Sequence, residues 1–262
     1  MIRFSRFRSQ ERLTKRMKLD TDGSLLKEPG GDMQTGGVEK VAVADMREFA
    51  GELASAGHKT AFGYGVCLHD HADVTVKHKR DKARKRNRQK PVVARARDDF
   101  AWPDGRGIMM VDYDPPGDVV PYGRDDLIAL IRQIVPELAD TEMVWWASSS
   151  SYIYHGDTEL KGLAGQRLYF AVEDAGDIPR AGNMLFARLW NAGFGYIQLS
   201  KAGSMLVRAP VDAAVWQPER LDFVAGAFCD QPLEQRRGDP VVLPGANGAL
   251  DTKTALPDDP QL

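Results

Sequence analysis

Only two cysteines, Cys67 and Cys229, occur in 262 residues. That is too few for a disulfide framework and fits a reducing, cytoplasmic setting. No apolar run approaches the roughly 18 residues needed to span a bilayer, so no membrane role is expected. The basic N-terminus, MIRFSRFRSQERLTKRMK, has no apolar h-region and no small-residue cleavage site, so it is expected to belong to the mature protein. Internal repeats are absent. A formal net charge of -2 predicts, taken alone, no polyanionic partner. The hydrophobic share of 43% is enough for a packed core.

That near-neutral balance hides a strong local asymmetry. From Lys77 to Arg97 the chain carries eleven Lys or Arg against one Asp. The segment lacks apolar periodicity, which predicts a mobile loop or hairpin. Lys79, Arg80, Lys82, Arg84, Lys85, Arg86 and Arg88 are the candidates there for tracking a nucleic-acid backbone. The alternative is a solubilising loop.

Elsewhere the patterning alternates between periods. VEKVAVA, TAFGYGVCL, GIMMV, EMVWWASSSS (running into polar residues), QRLYFAVED, FGYIQLSKAG and SMLVRAPVD read as strands. ADMREFAGELASAG, RDDLIALIRQIVPEL and PRAGNMLFARLWNAG read as helices, the last with Pro179 near its start and Gly193 after its end. Adjacent strands occur as well as strand–helix alternation. The expected class is therefore α+β, with a mixed or antiparallel sheet and flanking helices. Residues 1–236 are expected to form the domain. Residues 237–262, rich in Pro, Gly and Asp, are expected to be a linker-like tail or the start of a further region.

The most informative stretch is GIMMVDYDPP. An apolar strand ends in Asp112 and Asp114, which alternation puts on one face with Tyr113 opposite. Two carboxylates that close raise each other's pKa unless a cation sits between them, and magnesium or manganese suits such hard oxygen ligands. The competing reading is a turn whose aspartates satisfy backbone donors. Asp212, set among apolar residues in LVRAPVDAAV, offers a third carboxylate. By itself it reads as a hydrogen-bonded structural Asp or helix cap, and only together with the D-x-D pair as part of a three-carboxylate metal site.

Phosphate-facing candidates follow. Ser149, Ser150 and Ser151 lie in a serine-rich turn after a strand. Arg167 and Arg208 sit within apolar strands and call for anionic partners, and Lys201 precedes a glycine turn. Cys67, His69 and His71 alternate with zinc-like spacing, but a four-ligand signature is missing.

In this order, the D-x-D strand, the serine-rich turn, the strand carrying Arg167 and the later apolar-flanked Asp212 resemble the archaeo-eukaryotic primase superfamily. The likeness is to primase or primase–polymerase domains of phage, plasmid and integrated-element replication proteins. SSSSYIY, IPRAGNMLFARLWNAGFGYIQLSKAG and LVRAPVDAAVWQPERLDFVAGA strengthen it. The resemblance implies a catalytic core related to RNA-recognition folds. It implies nucleotidyl transfer from NTP or dNTP on a single-stranded DNA template, with Asp112, Asp114 and Asp212 holding two Mg2+ or Mn2+ ions. A replicative helicase would be a further partner. Arg167 stands where the family's second motif has a phosphate-touching histidine, with His155 as the other histidine near that motif. Two alternatives stay open: a single-stranded-DNA-binding module of the same fold, and a glycosyltransferase using the D-x-D.

Overall fold

A computed structural model describes residues 1–86, 89–115, 119–200 and 202–259. The first half lays down β1 (Ile2–Ser9), β2 (Arg16–Leu19), β3 (Leu25–Glu28), β4 (Thr35–Val43), α1 (Met46–Ala54), β5 (Thr60–Gly63), β6 (Val66–Cys67), β7 (His71–Thr75), α2 (Lys77–Arg86), β8 (Val92–Val93) and β9 (Phe100–Ala101). The second half adds β10 (Gly107–Tyr113), α3 (Arg124–Ile134), β11 (Met143–Ala147), β12 (Ile153–His155), β13 (Thr158–Lys161), β14 (Gln166–Val172), α4 (Ile178–Asn191), β15 (Tyr196–Leu199), β16 (Met205–Arg208), β17 (Phe228–Cys229), β18 (Leu233–Gln235), β19 (Val241–Leu243) and α5 (Thr252–Ala255). The class is α+β, with mixed and antiparallel sheets, as the patterning predicts.

Two sheets carry most of the core. The first runs β5-β1-β4-β7-β8. Its strand β1, interior between β5 and β4, carries buried residues on both faces: Ile2 and Phe4 enter the principal core, and Phe7 enters a second core with Val38, Val74 and Phe100. The second sheet runs β10-β14-β11-β19, all antiparallel. An antiparallel bridge between Tyr113 and Val211 lays the Pro210–Asp212 segment along the free edge of β10. With α3 between β10 and β11, and α4 between β14 and that segment, the chain order is β-α-β-β-α-β and the spatial order is 4-1-3-2. Leu127, Ile131 and Ile134 of α3 and Ile178, Leu185 and Leu189 of α4 recur at helical spacing and bury their stripes in the principal core.

Close packing fixes the edge segment. Trp216 donates its indole N–H to the Met110 carbonyl at 2.9 Å. Its ring lies on α4 at Gly182, where a Cβ would stand 2.2 Å from the indole. Only glycine fits there without displacing the segment that carries Asp212.

Two expectations need correction. The described part of 237–262 is not a linker. β19 extends the second sheet, Leu250 bridges Val172, and Leu250 and Leu256 are core residues. Arg180 and Arg188 of α4 donate to the Leu256 and Ala255 carbonyls at 2.6 and 2.9 Å. These elements are three or four residues long, too short to show a period, and much of their anchoring uses backbone groups. The basic segment is likewise not a loop but the helix α2 followed by β8. No residue of α2 is buried, so an apolar stripe was never there to be read.

Candidate active site

Strand register aligns a row of chemistry across the second sheet. Asp112 pairs with Arg167, and Arg167 pairs with Trp146 on its other side. At the opposite edge the Tyr113–Val211 bridge, with the Asp212 N–H donating to the Asp112 carbonyl at 3.0 Å, places Asp212 directly across from Asp112. Residues opposite one another on antiparallel strands share a face. The row is therefore Asp212, Asp112, Arg167, Trp146, with Asp114 two residues further along β10. Tyr113 points the other way into the core, where its hydroxyl accepts the Tyr122 N–H at 3.0 Å.

Above this row sits a carboxylate that the sequence reading did not single out. Asp222 is 2% exposed, and its N–H and carbonyl pair with Phe62 of β5. Tyr64 and Tyr169 donate their hydroxyls to Asp222 Oδ2 at 2.6 and 2.8 Å. Arg167 Nη1 lies 2.7 Å from Asp222 Oδ1, while its Nε reaches Asp112 Oδ1 at 3.3 Å. One guanidinium thus bridges two carboxylates and ties the two sheets together. Burial and the charge of Asp222 hold both tyrosine hydroxyls well above their usual pKa, so they stay neutral donors. Burial also pushes the Asp112 carboxyl up. Arg167 opposes that shift, and the nearby Asp222 and Asp114 charges reinforce it.

Arg237 completes the cationic side. Its guanidinium stacks 3.5 Å from the Trp146 ring centroid and donates to the Ala147 and Val224 carbonyls at 3.2 and 2.8 Å. Burial, with the neighbouring Arg167 charge, lowers its pKa to about 10. Among the described residues it has no carboxylate partner.

The acids open onto two clefts. Asp114 is exposed and borders both. One, of about 410 Å³, is also lined by Asp212, Arg208, Tyr196 and Gln198. The other, of about 790 Å³, is walled by Tyr113, Tyr122, Phe194 and Tyr196 with Ile197 and Leu199 of β15. Arg208 lies on the exposed β15–β16 ribbon, bonded to Gln198 at 3.2 Å, and not inside the protein.

Asp112, Asp114 and Asp212 are thus brought to neighbouring register positions by the backbone, and carboxylate oxygens are the hard donors that divalent cations take. Their carboxylates are otherwise engaged: Asp112 with Arg167, and Asp212 with the Ala214 N–H at 3.0 Å, where it caps a short 3-10 turn. Among the described residues no three His, Cys, Asp or Glu side chains form a metal-holding group.

The remaining expectations divide. The serine turn is buried. The Ser148 hydroxyl is within hydrogen-bond range of those of Ser150 and Ser151, at 3.2 and 3.3 Å. The Ser149 and Ser151 carbonyls accept from Gln235. Ser149, Ser150 and Ser151 therefore shape the turn between β11 and β12 and do not present themselves to a phosphate. His155 is exposed at the β12–β13 hairpin. Cys67 is buried, while His69 and His71 face solvent, and they assemble no ligand set. In α2, Arg80 and Arg84 are tied to buried Asp99 at 2.9 and 2.6 Å, whereas Lys79, Lys82, Lys85 and Arg86 are exposed. Lys201 and Arg88 lie outside the described residues. Asp222 carried the same signal that marked Asp212, an acid between apolar neighbours in RLDFV.

Comparison with protein-family models, with curated proteins and with solved structures gave no match. Among the described residues no helix is long and apolar enough to cross a membrane.

Proposed function

We propose that this chain is a nucleotidyltransferase of the DNA primase or primase–polymerase type, built on an RRM-related core. The observation that carries the reading is the register that sets Asp212 opposite Asp112, with Asp114 beside them at the mouth of a cleft. The β-α-β-β-α-β order and the 4-1-3-2 arrangement support the fold assignment. In this reading Asp112, Asp114 and Asp212 hold magnesium or manganese, which would supply activation of the attacking hydroxyl and neutralisation of phosphate charge. Arg208 holds phosphate from the cleft wall. The aromatic cleft beside Asp114 accepts a base, since every base offers a face for stacking. The exposed cations of α2 track the single-stranded template.

The test is product formation on a single-stranded DNA template with NTPs or dNTPs and Mn2+. Asp112→Ala combined with Asp114→Ala abolishes product and leaves the circular dichroism spectrum unchanged. Full activity in the double variant would overturn the assignment.

One observation favours a second reading, a template-binding module without catalysis. Arg167 is held by Asp222 as well as Asp112, so the Asp112 carboxylate that a catalytic cation would need is already ion-paired to a guanidinium. Tight template binding with no incorporation under either metal would select this reading.

A further inference from the structure

Three lysines outside the acidic row converge on it from elements that pack together. Met17 of β2 and Ile153 of β12 meet in one small core with Leu233. Lys27 lies opposite Met17 on β3, and Lys15, two residues before Met17, shares its face. Lys161 lies opposite Ile153 on β13. The three lysines thus lie at the seam where the N-terminal hairpin meets the β12–β13 hairpin. From Lys161 the chain runs directly to Gln166, which pairs with Tyr113 between the two acids.

Their charge environment is unusual. Lys15 and Lys161 are half-buried, and none of the three is in an ion pair among the described residues. Burial lowers the Lys15 ammonium pKa, and the Lys27 charge lowers it further; Asp114 and, more weakly, Asp112 oppose that shift. Lys161 is lowered by burial and Lys27 in the same way, again with Asp114 as the opposing charge. Like charges gathered in partial burial with one shared carboxylate are costly unless an anion joins them. Arg167 and Arg237 lie behind the same end of the sheet, so the excess is positive. A single phosphate satisfies one or two such cations, whereas a chain of phosphates matches a spread set.

We propose that Lys15, Lys27 and Lys161 form a clamp for the polyphosphate chain of a nucleoside triphosphate, contributed largely by the N-terminal hairpin. The proposal rests on the nucleotidyl-transfer reading for the identity of the ligand, but the clamp can be measured without catalysis.

The experiment is calorimetric titration of the full chain with inorganic tripolyphosphate and with a non-hydrolysable nucleoside triphosphate analogue. Wild type binds both, and binding weakens with added salt. Lys27→Gln, at an exposed position, with Lys161→Gln, at a half-buried one, weakens binding of each probe by about tenfold or more, the scale of losing charge-assisted contacts. The melting temperature stays unchanged. Lys15→Gln has the same effect, and Lys15→Arg restores it. Wild-type affinity in the double variant would overturn the clamp while leaving the nucleotidyl-transfer reading intact. Lysine-dependent binding of tripolyphosphate by a chain that never incorporates nucleotide would uphold the clamp and overturn catalysis. Failure of wild type to bind either probe would overturn the clamp outright.

Discussion

The molecule holds two cationic regions that differ in almost every physical respect. In α2 positive charge is dense, contiguous in sequence and solvated, and only Arg80 and Arg84 are spent on fastening the helix to Asp99. Around the acidic row, positive charge is sparse in sequence, drawn from Lys15, Lys161, Arg167, Arg208 and Arg237, and mostly half-buried. The regions lie toward opposite edges of the first sheet. α2 follows β7 and leads into β8, whereas Asp222 pairs with Phe62 of β5, four strand spacings or roughly 19 Å away. Solvated charge recruits a polyanion from a distance and is screened by salt, whereas desolvated charge orients one group at one place. In the proposed nucleotidyl-transfer reading, a template and a nucleotide make those two different demands.

The sharpest way to break the comparison is at Asp222. Asp222→Ala removes the shared partner of Arg167, Tyr64 and Tyr169 and leaves a buried guanidinium with only Asp112 and a carbonyl. Breaking such a buried pair costs about 3–5 kcal/mol, which for a chain of this size lowers the melting temperature by roughly 10 °C. Thermal and urea unfolding check this. A change under about 1 kcal/mol would mean that Arg167 is not held as described, and would weaken the contrast between the two regions.

The same contrast explains what was legible in the sequence. The β10 strand, α1, α3 and α4 follow from apolar periods, and alternation correctly put Asp112 and Asp114 on one face. The basic run was conspicuous, but its state was misjudged, because a helix with no buried residue has no period. The N-terminal hairpin that supplies Lys15 and Lys27 escaped notice because β2 and β3 are short and half-exposed. The role of Asp222 depends on Tyr64, Tyr169 and Arg167, which lie up to 158 positions away in sequence. No local pattern reports contacts of that separation. The serine turn misled for the opposite reason: its composition suited phosphate, but the fold needed those hydroxyls and carbonyls to close the turn between β11 and β12.

Asp99 gives a smaller effect with a definite pH dependence. Burial alone would raise its carboxyl, but the Ala94 N–H and the Arg80 and Arg84 guanidiniums outweigh it and hold the carboxyl below its ordinary value. A pKa depressed in the folded state adds stability that is fully present above the unfolded value. That stability is lost as pH falls through the folded value. The anchoring of α2 is therefore intact at neutral pH, begins to weaken as pH falls below the ordinary aspartate value of about 4, and is lost in stronger acid as pH passes the depressed folded-state value. Asp99→Asn mimics the release at pH 7 and costs about 2–3 kcal/mol, since two charged donors lose an anionic partner. Hydrogen exchange in residues 77–86 rises in the variant at pH 7 and matches wild type in acid. Equal protection of wild type and variant at pH 7 would separate α2 from Asp99.

The smallest effect on stability belongs to the outer face of α2. Replacing Lys79, Lys82, Lys85 and Arg86 together by Gln removes exposed charge that fastens nothing, so unfolding free energy moves by no more than about 0.5 kcal/mol. Binding of single-stranded DNA responds differently. Each cation that contacts a phosphate contributes about 0.7 to the slope of log affinity against log salt, so loss of four contacts flattens the slope by nearly 3. Arg84→Gln does the reverse, lowering stability by about 1–2 kcal/mol while leaving the slope within one contact of wild type. A pair of variants that shifts stability and salt slope in opposite proportions is what a helix with one fastening face and one free face requires. If the quadruple variant keeps the wild-type slope, the template does not run along α2. Under the nucleotidyl-transfer proposal, the cations around Asp114 would then have to serve both template and nucleotide.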